Sequence, residues 1–367
     1  MGKREGLGRV FNKAVKLGLV IYGSLDMLSG GYLYDRKLVE YLRDQGDTVE
    51  IISLPWRNYA AYLTDNFHFR LPPGLDLLIQ DELNHPSLLS ANSRHRPYPI
   101  ISLVHHLRCS EQQPAWQNWF YRLVEKRYLE SVDGFIFNSE TTKGVVNGLI
   151  ENGKPNIVAY PPTDRFGHPV TEYEVMARAH ETGPLRIVFL GNVIPRKGLG
   201  VLVTALHLQT VQTNFHLDVI GRTDINQSYA SAVFYSAYDL PNPLNLEIHG
   251  QLNTMNLIER LKAAHVLVVP SSYEGFGIVY LEGMGFGLPA IGTTAGAASE
   301  IVSDGETGFL VPPDDAETLA ERLERLANDR DLLTRMSLKA LERYRLQPTW
   351  NETADKIRKL LISMLTQ

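Results

Sequence analysis

The feature that most constrains the fold is an alternation of strand-like and helix-like segments in the first part of the chain. Short apolar segments of strand length alternate with segments of helical periodicity. Strands alternating with helices pair in parallel and are covered by helices on both faces. This part therefore predicts a doubly wound α/β domain with strands at 16–22, 47–54, 74–81, 98–106 and 133–139, and helices at 32–43, 115–131 and 140–150.

The alternation stops at "AYPPTDRFGHPV" (159–170), where three prolines and a glycine interrupt it, and then resumes. We place the domain linker there and predict two Rossmann-like doubly wound domains, residues 1–165 and 166–345. Ligands of such sheets bind at the carboxyl ends of the strands. The second domain has predicted strands at 185–191, 215–221, 246–250, 265–271, 288–293 and 308–312, and helices from 199, from 255 to 264 and after 277.

The last fifty residues are predicted to be helical throughout, and Thr349 to Glu352 forms a capping box at the start of the final helix. The one Asp-x-Asp pair, Asp329 and Asp331, falls between two predicted helices. Helix capping explains this pair better than metal binding does.

Composition limits the class of protein. A chain of 367 residues, 44% hydrophobic and 21% charged, is long enough for two hydrophobic cores. A net charge of -5 argues against a nucleic-acid partner, which would usually select a basic excess. Cys109 is the only cysteine, so neither a disulfide framework nor a thiolate metal cluster is expected. This predicts a reducing, cytoplasmic location.

Residues 1–16 form a basic stretch with apolar residues near helical spacing. One interpretation is a peripheral contact with an anionic membrane surface, at its inner face. The alternative is a solvated leader before the first strand. A membrane-spanning segment is not expected, because the sequence has no apolar run of about 18 residues.

A glycine-rich loop, "VFLGNVIPRKGLG" (188–200), lies between a predicted strand and a predicted helix. Backbone amides at a helix start, with Arg196 and Lys197 beside them, favour a phosphate group. A solvated basic turn is an equally good interpretation of the loop taken alone. Such turns are frequent in this fold class.

The segment "SSYEGFGIVYLEGMGFGLP" (271–289) also follows a strand and opens a helix. Glu274 and Glu282 would lie about 12 Å apart along a helix axis, too far to share a proton. Each carboxylate would instead accept hydrogen bonds from paired hydroxyls. A phosphate centre flanked by two polyols satisfies the turn and both acids, and a nucleotide sugar has that form.

Together these residues resemble the retaining family-4 glycosyltransferases of the GT-B fold, the group 1 glycosyl transferases. The resemblance spans nearly the whole chain and is most specific between 265 and 313. It implies two Rossmann-like domains facing a deep cleft, with the last helix, 346–367, joining the first domain. Its motifs are Glu274-x7-Glu282 around Gly-Phe-Gly, Pro270-Ser271, "GLPAIGT", "SEIVSDGETGFLVPP" and "GNVIPRKG".

By this resemblance, Glu274 would bind hydroxyls of the donor sugar, and Glu282 would bind the ribose hydroxyls. Backbone amides of the glycine turn and the helix start would meet the sugar or the diphosphate. These amides belong to Phe276, Gly277 and Ile278.

The glycine-rich loop would serve the leaving diphosphate. Lys197 and Arg196 would neutralise it, beside the turn formed by Gly191 and Asn192. Many relatives carry an arginine where this chain has Asn192. Arg196 is the candidate to supply the missing charge, and its assignment is therefore less direct than that of Lys197.

In the first domain, Gly30 and Gly31 resemble the glycine pair that the family places near the donor phosphates, although an ordinary turn would explain them too. His105, at the end of a predicted strand, matches the family histidine near the reacting sugar carbon. The adjacent His106 is the alternative, and a purely structural histidine is the common case at a strand end.

The expected activity is hexosyl transfer with retention, from a nucleoside-diphosphate sugar to an acceptor hydroxyl. UDP-glucose and GDP-mannose are the leading donors, and a glycan, a lipid-linked sugar or a small molecule is the acceptor. No metal or other cofactor is expected. A nucleotide-sugar epimerase or hydrolase and a non-catalytic nucleotide- or carbohydrate-binding module are the alternatives.

Overall fold

The computed structural model describes residues 14–27, 29–151, 153–162, 164–168, 170–208, 215–238 and 245–366. The chain forms two compact units: unit 1 comprises residues 1–162 and 348–367, and unit 2 comprises residues 163–347. The sequence placed these divisions at 165 and 345. The predicted membrane contact of residues 1–16 lies outside the described residues, apart from its last three.

Unit 1 contains a six-stranded parallel sheet in the order β2-β1-β3-β4-β5-β6. The sheet reverses its strand order between β1 and β3. Its strands are β1 (Lys16–Tyr22), β2 (Thr48–Leu54), β3 (Leu77–Asp81), β4 (Ile100–Val104), β5 (Gly134–Phe137) and β6 (Asn156–Val158). Its helices are α1 (Gly30–Asp44), α2 (Tyr59–Asp65), α3 (His85–Asn92), α4 (Ala115–Ser131), α5 (Glu140–Leu149) and, from the other end of the chain, α13 (Trp350–Met364).

The last helix, α13, is part of unit 1. Its Ala354, Ile357 and Leu361 belong to the same apolar cluster as residues of β1 and α1. Arg358 donates to the buried Asp47 carboxylate at 2.7 Å. The predicted capping box is confirmed, because the Thr349 and Glu352 side chains bond reciprocally to the backbone.

Unit 2 contains a second six-stranded parallel sheet, in the order β12-β11-β10-β7-β8-β9. Read from β9, this is the doubly wound order, and it reverses between β7 and β10. The strands are β7 (Leu185–Leu190), β8 (Phe215–Ile220), β9 (Asn245–Gly250), β10 (Val266–Val268), β11 (Ala290–Thr293) and β12 (Gly308–Val311). The helices are α6 (Glu172–Ala179), α7 (Leu199–His207), α8 (Gln227–Tyr238), α9 (Thr254–Ala263), α10 (Ile278–Gly285), α11 (Ala316–Asn328) and α12 (Arg330–Arg345).

The predicted fold class, two Rossmann-like α/β domains, is confirmed by these sheets. The helical prediction for the end of the chain is confirmed, and so is the cap expected between two of its helices. Asp329 ends α11 and caps α12, its carboxylate accepting a bond from the Leu332 amide at 2.7 Å. A second break follows at Pro348, because proline disfavours helical backbone in the residue before it.

The sequence also missed several elements, among them α2, α3, α6, α8 and β6. Helix α6 carried a usable signal, since Thr171 and Glu174 form a capping box at its start. The others are short, or lack a clear apolar stripe.

Candidate functional site

In unit 2, the loops that follow β7 and β10 meet where the strand order reverses. The Ser272 amide donates to the Arg196 carbonyl at 2.9 Å. Gly198 has a φ of 74°, and a Cβ on it would lie 2.1 Å from the Pro270 carbonyl oxygen. Only glycine allows the two backbones to approach this closely. The glycine-rich loop and the "YEGFG" turn, remote in sequence, therefore form one site.

A buried ion pair lies at the centre of this site. The Lys197 ammonium donates to Oε1 of Glu274. The same oxygen accepts a bond from the Ser271 hydroxyl at 2.6 Å. Burial lowers the pKa of Lys197, against the opposing effect of Glu274. Burial would raise the pKa of Glu274, but Lys197 and Arg196 outweigh it and hold that pKa below its usual value.

Arg196 adds a second positive charge. It donates to the Tyr273 carbonyl at 2.9 Å, and the nearest of its contacts with the Glu274 carboxylate is 3.9 Å. Asn192, in the same loop, accepts a bond from the Ile194 amide through its backbone carbonyl. The glycine-rich loop thus places two basic side chains, Arg196 and Lys197, beside the Glu274 carboxylate.

The N-terminus of α10 points into the same region. Gly277 begins the helix with a φ of 89°, no side chain caps it, and its first turn holds no acidic residue. Phe276 is buried and anchors the turn. The positive end of a helix dipole, beside Arg196 and Lys197, favours a bound anion.

Glu282, on α10, is held by a residue that the sequence analysis missed. Arg165 donates to Oε1 of Glu282 at 2.5 Å. Burial raises the pKa of Glu282, and Arg165 opposes that effect. The segment around Arg165 is fixed by two further contacts: Phe166 packs against Phe286, and Gly167 accepts a bond from the Tyr344 hydroxyl at 2.8 Å. The two partners lie 117 residues apart, so no local pattern signals the pair.

In unit 1, His105 lies beside the glycine pair that starts α1. A Cβ on Gly31 would be 3.4 Å from the imidazole ring. Nε2 of His105 is 3.1 Å from the buried Asp35 carboxylate, one turn further along α1. Gly30 is the first residue of this helix, and Ser29 caps it. Nε2 of His106 instead lies 3.1 Å from the Glu111 carboxylate.

Three buried carboxylates surround His105. Burial alone would lower the pKa of His105, but the hydrogen bond and charge of Asp35, with Asp81 and Glu82, raise it to about 9. Burial raises the pKa of Asp81 to about 6 and that of Glu82 to about 8. The sequence analysis selected His105 but missed the carboxylates, because they come from other elements.

We expect Asp35→Asn to lower the pKa of His105 from about 9 towards 6.5. The substitution removes the charge that raises this pKa, while burial, which lowers it, remains. The folded pKa lies above the ordinary value, so the interaction stabilises the protein fully below about pH 6.5 and is lost as the pH rises through 9. An NMR titration of ¹⁵N-labelled imidazoles measures this pKa. Asp44→Asn, at the exposed end of α1, is the control; an unchanged His105 in Asp35→Asn would contradict the assignment.

Among the described residues, three groups of histidine and carboxylate side chains lie close enough together to share a cation: Asp35-Asp81-His105, Glu82-His85-Glu125 and Asp218-Glu247-His249. In the second group, both His85 nitrogens already have partners, the Tyr59 hydroxyl and the Glu82 carbonyl. The expectation that no metal is needed remains a prediction.

None of the described helices has the length and apolarity needed to cross a membrane.

The sequence of this chain is similar to those of known glycosyltransferases. Residues 174–343, nearly all of unit 2, match the family model described as Glycosyl transferases group 1. The phosphatidyl-myo-inositol mannosyltransferase of Mycobacterium leprae is 29% identical over 96% of this chain and 98% of its own length. D-rhamnosyltransferase WbpZ of Pseudomonas aeruginosa is 26% identical over 68% of each.

Shorter and more distant matches agree with these. An uncharacterized glycosyltransferase of Methanocaldococcus jannaschii is 30% identical over 40% of this chain, which spans only 39% of that relative's length. Sucrose-phosphate synthase from Thermosynechococcus elongatus has the same fold, with a TM-score of 0.78 and 21% identity over 95% of this chain and 99% of its own. HepE from Anabaena, solved with UDP and glucose, has a TM-score of 0.71 and is 16% identical. The match covers 95% of this chain and 100% of the HepE chain. The family model covers 170 of the 367 residues, so the matches show that this chain is similar to glycosyltransferases. The solved structures show that its fold is that of the GT-B class.

Proposed function

We propose that this protein is a retaining family-4 glycosyltransferase that moves a hexose from a nucleoside-diphosphate sugar to an acceptor hydroxyl. The observation that carries the proposal is the Lys197–Glu274 pair beside the uncapped start of α10. It joins a site for an anionic leaving group to a carboxylate that can hold sugar hydroxyls. Both lie where doubly wound sheets bind ligands.

The chemical step breaks the bond between the sugar C1 and the diphosphate oxygen, and the electron pair leaves with that oxygen. Lys197, Arg196 and the positive end of α10 stabilise the growing negative charge. The acceptor oxygen bonds to C1 on the face that the diphosphate leaves. Its proton passes to the departing phosphate, so no protein base is required.

Glu274 has the geometry to orient the donor sugar. Both of its short contacts, with Lys197 and Ser271, end on Oε1. Oε2 is then the atom that accepts hydrogen bonds from sugar hydroxyls. Because Lys197 holds the same carboxylate, its charge and the sugar are positioned together.

Glu282 is proposed to bind the ribose. Its Oε1 accepts from Arg165, so a nucleotide either uses Oε2 or displaces Arg165. UDP-glucose and GDP-mannose are the donors we would test first, and HepE supplies the precedent of a fold relative solved with UDP-glucose. We propose no metal, since the cationic groups of unit 2 can balance the diphosphate charge.

The test is a thermal-shift comparison of UDP, GDP and their sugars. A ligand at 100 times its Kd adds about 2.7 kcal/mol to the free energy of unfolding. We expect one base family to stabilise the wild type and to lose this effect in Glu282→Ala, each compared with its own ligand-free state. Glu321→Ala, an exposed carboxylate on α11, should respond as the wild type does.

No response to any nucleotide would overturn the proposal in favour of a carbohydrate-binding module. Products distinguish the remaining alternatives. NMR of the glycosylated acceptor should show the anomeric configuration of the donor. Release of free sugar or of an epimer at the same rate with and without acceptor would indicate a hydrolase or an epimerase instead.

A further inference from the structure

Helix α4 in unit 1 exposes an unusual apolar stripe. Trp116 is 69% exposed, Trp119 66% and Leu123 49%. At spacings of three and four residues, these side chains lie on one face of the helix. Two exposed tryptophans and an exposed leucine on one helix face are unexpected if that face only meets water.

The opposite face of α4 is firmly packed, so the stripe cannot turn inward. Val124, Tyr128 and Leu129 are buried. The Glu125 carboxylate accepts a bond from the Arg108 amide at 2.6 Å, and the Tyr128 hydroxyl donates to Ser102 at 3.1 Å. The stripe is therefore held on the surface by the fold of unit 1.

The side chains that border the stripe are basic. Arg122, Lys126 and Arg127 are all exposed. Along α4, which the structure describes in full, Glu130 is the one exposed acidic residue, and it lies 3.8 Å from Lys126. This face carries a net positive charge although the chain as a whole has a net charge of -5.

The positive charge of this face distinguishes among three possible binding partners: a second copy of the chain, a saccharide and a lipid surface. A second copy bound by two-fold symmetry would bring the same basic borders together, which is repulsive. A saccharide would stack on the indoles but would not neutralise the net positive charge of Arg122, Lys126 and Arg127. An anionic lipid surface satisfies both features, since indoles favour the headgroup region and Arg and Lys pair with phosphate.

We propose that α4 docks unit 1 on an anionic lipid bilayer. Trp116, Trp119 and Leu123 enter the interfacial layer, and Arg122, Lys126 and Arg127 contact lipid phosphates. The contact is peripheral, with the helix lying in the plane of the surface. It does not depend on the proposed transferase activity.

Co-sedimentation of the full chain with vesicles tests this. We expect binding to phosphatidylcholine vesicles that contain phosphatidylglycerol, weaker binding without it, and further weakening in high salt. Trp116→Ser with Trp119→Ser should lower the partition coefficient at least about ten-fold. Arg122→Gln with Lys126→Gln, which leaves the indoles intact, should lower it on anionic vesicles alone.

The matched control lies on α8 in unit 2, a helix without charged residues. Tyr235 and Tyr238 are 77% and 69% exposed, and changing both to serine should leave binding unaltered. Unchanged binding of the tryptophan variant, as would follow if residues 1–13 alone held the membrane, would overturn the proposal. So would no binding to anionic vesicles, or a dimer in sedimentation velocity that the tryptophan substitutions dissociate.

Discussion

Replacing Lys197 by methionine is expected to lower kcat/KM for sugar transfer by a factor of about 10² to 10³, the usual effect of removing one group that stabilises a developing oxyanion. Methionine keeps much of the buried aliphatic chain, so packing in the glycine-rich loop is largely retained. The lost group is the cation that contacts Glu274. Because the charge on the leaving group grows in the transition state, the loss should fall mainly on kcat.

The same substitution has a structural consequence that must be separated from catalysis. Without Lys197, Glu274 is a buried carboxylate with a weaker set of partners, and its pKa should rise. Leaving such a group poorly satisfied costs about 1–3 kcal/mol. Adding Glu274→Gln should recover part of this stability, because an amide needs no counter-charge, but it should not recover activity.

Steady-state kinetics of the two variants, with thermal unfolding measured in parallel, checks both expectations. Lys339→Met removes an exposed lysine on α12 and should leave kcat unchanged. Normal kcat in Lys197→Met would show that Arg196 and the start of α10 suffice for the leaving group. A double variant that regained activity would assign Lys197 a purely structural role.

Gly198→Ala is expected to destabilise unit 2 by about 2–4 kcal/mol, among the larger effects of a single methyl group. Two costs add here. The residue has a φ of 74°, which side chains disfavour, and the new Cβ would lie 2.1 Å from the Pro270 carbonyl oxygen. The atom that the new Cβ would meet belongs to the backbone, which cannot move aside as the end of a flexible side chain can. The two loops must therefore separate.

Gly250→Ala is the matched control, because its φ of 61° is similar but nothing lies within 4 Å of the added Cβ. It should cost only about 1–2 kcal/mol, the strain of the left-handed conformation. All four tryptophans, Trp56, Trp116, Trp119 and Trp350, belong to unit 1. Their fluorescence can therefore show that unit 1 stays folded while unit 2 loses stability.

Hydrogen exchange of the β7 and β8 amides measures the effect within unit 2. We expect faster exchange in Gly198→Ala than in Gly250→Ala, together with weaker nucleotide binding, since the displaced loop carries Lys197. Equal exchange in the two variants would mean that the loops separate at little cost and that their close approach does not hold the site together.

Periodicity determined much of the fold. Segments such as 16–22 and the helix starts at 199 and 278 were placed from their own residues, because strand and helix periods are local properties. Helices α2 and α3 were not, since their packing against unit 1 outweighs weak local preferences. The break at Asp329 was also visible, because an aspartate between two helical segments is a common N-cap.

The chain's own sequence also determined which chemistry the candidate site can attempt, through Lys197, Arg196, Glu274 and Glu282 in their motifs. Only the tertiary structure decided their partners: Lys197 on Glu274, Arg165 on Glu282, and Asp35 on His105. The physical reason is that an ion pair depends on distance in space. Partners separated by 70 to 117 residues meet only when the folded chain brings the helices and loops that carry them together.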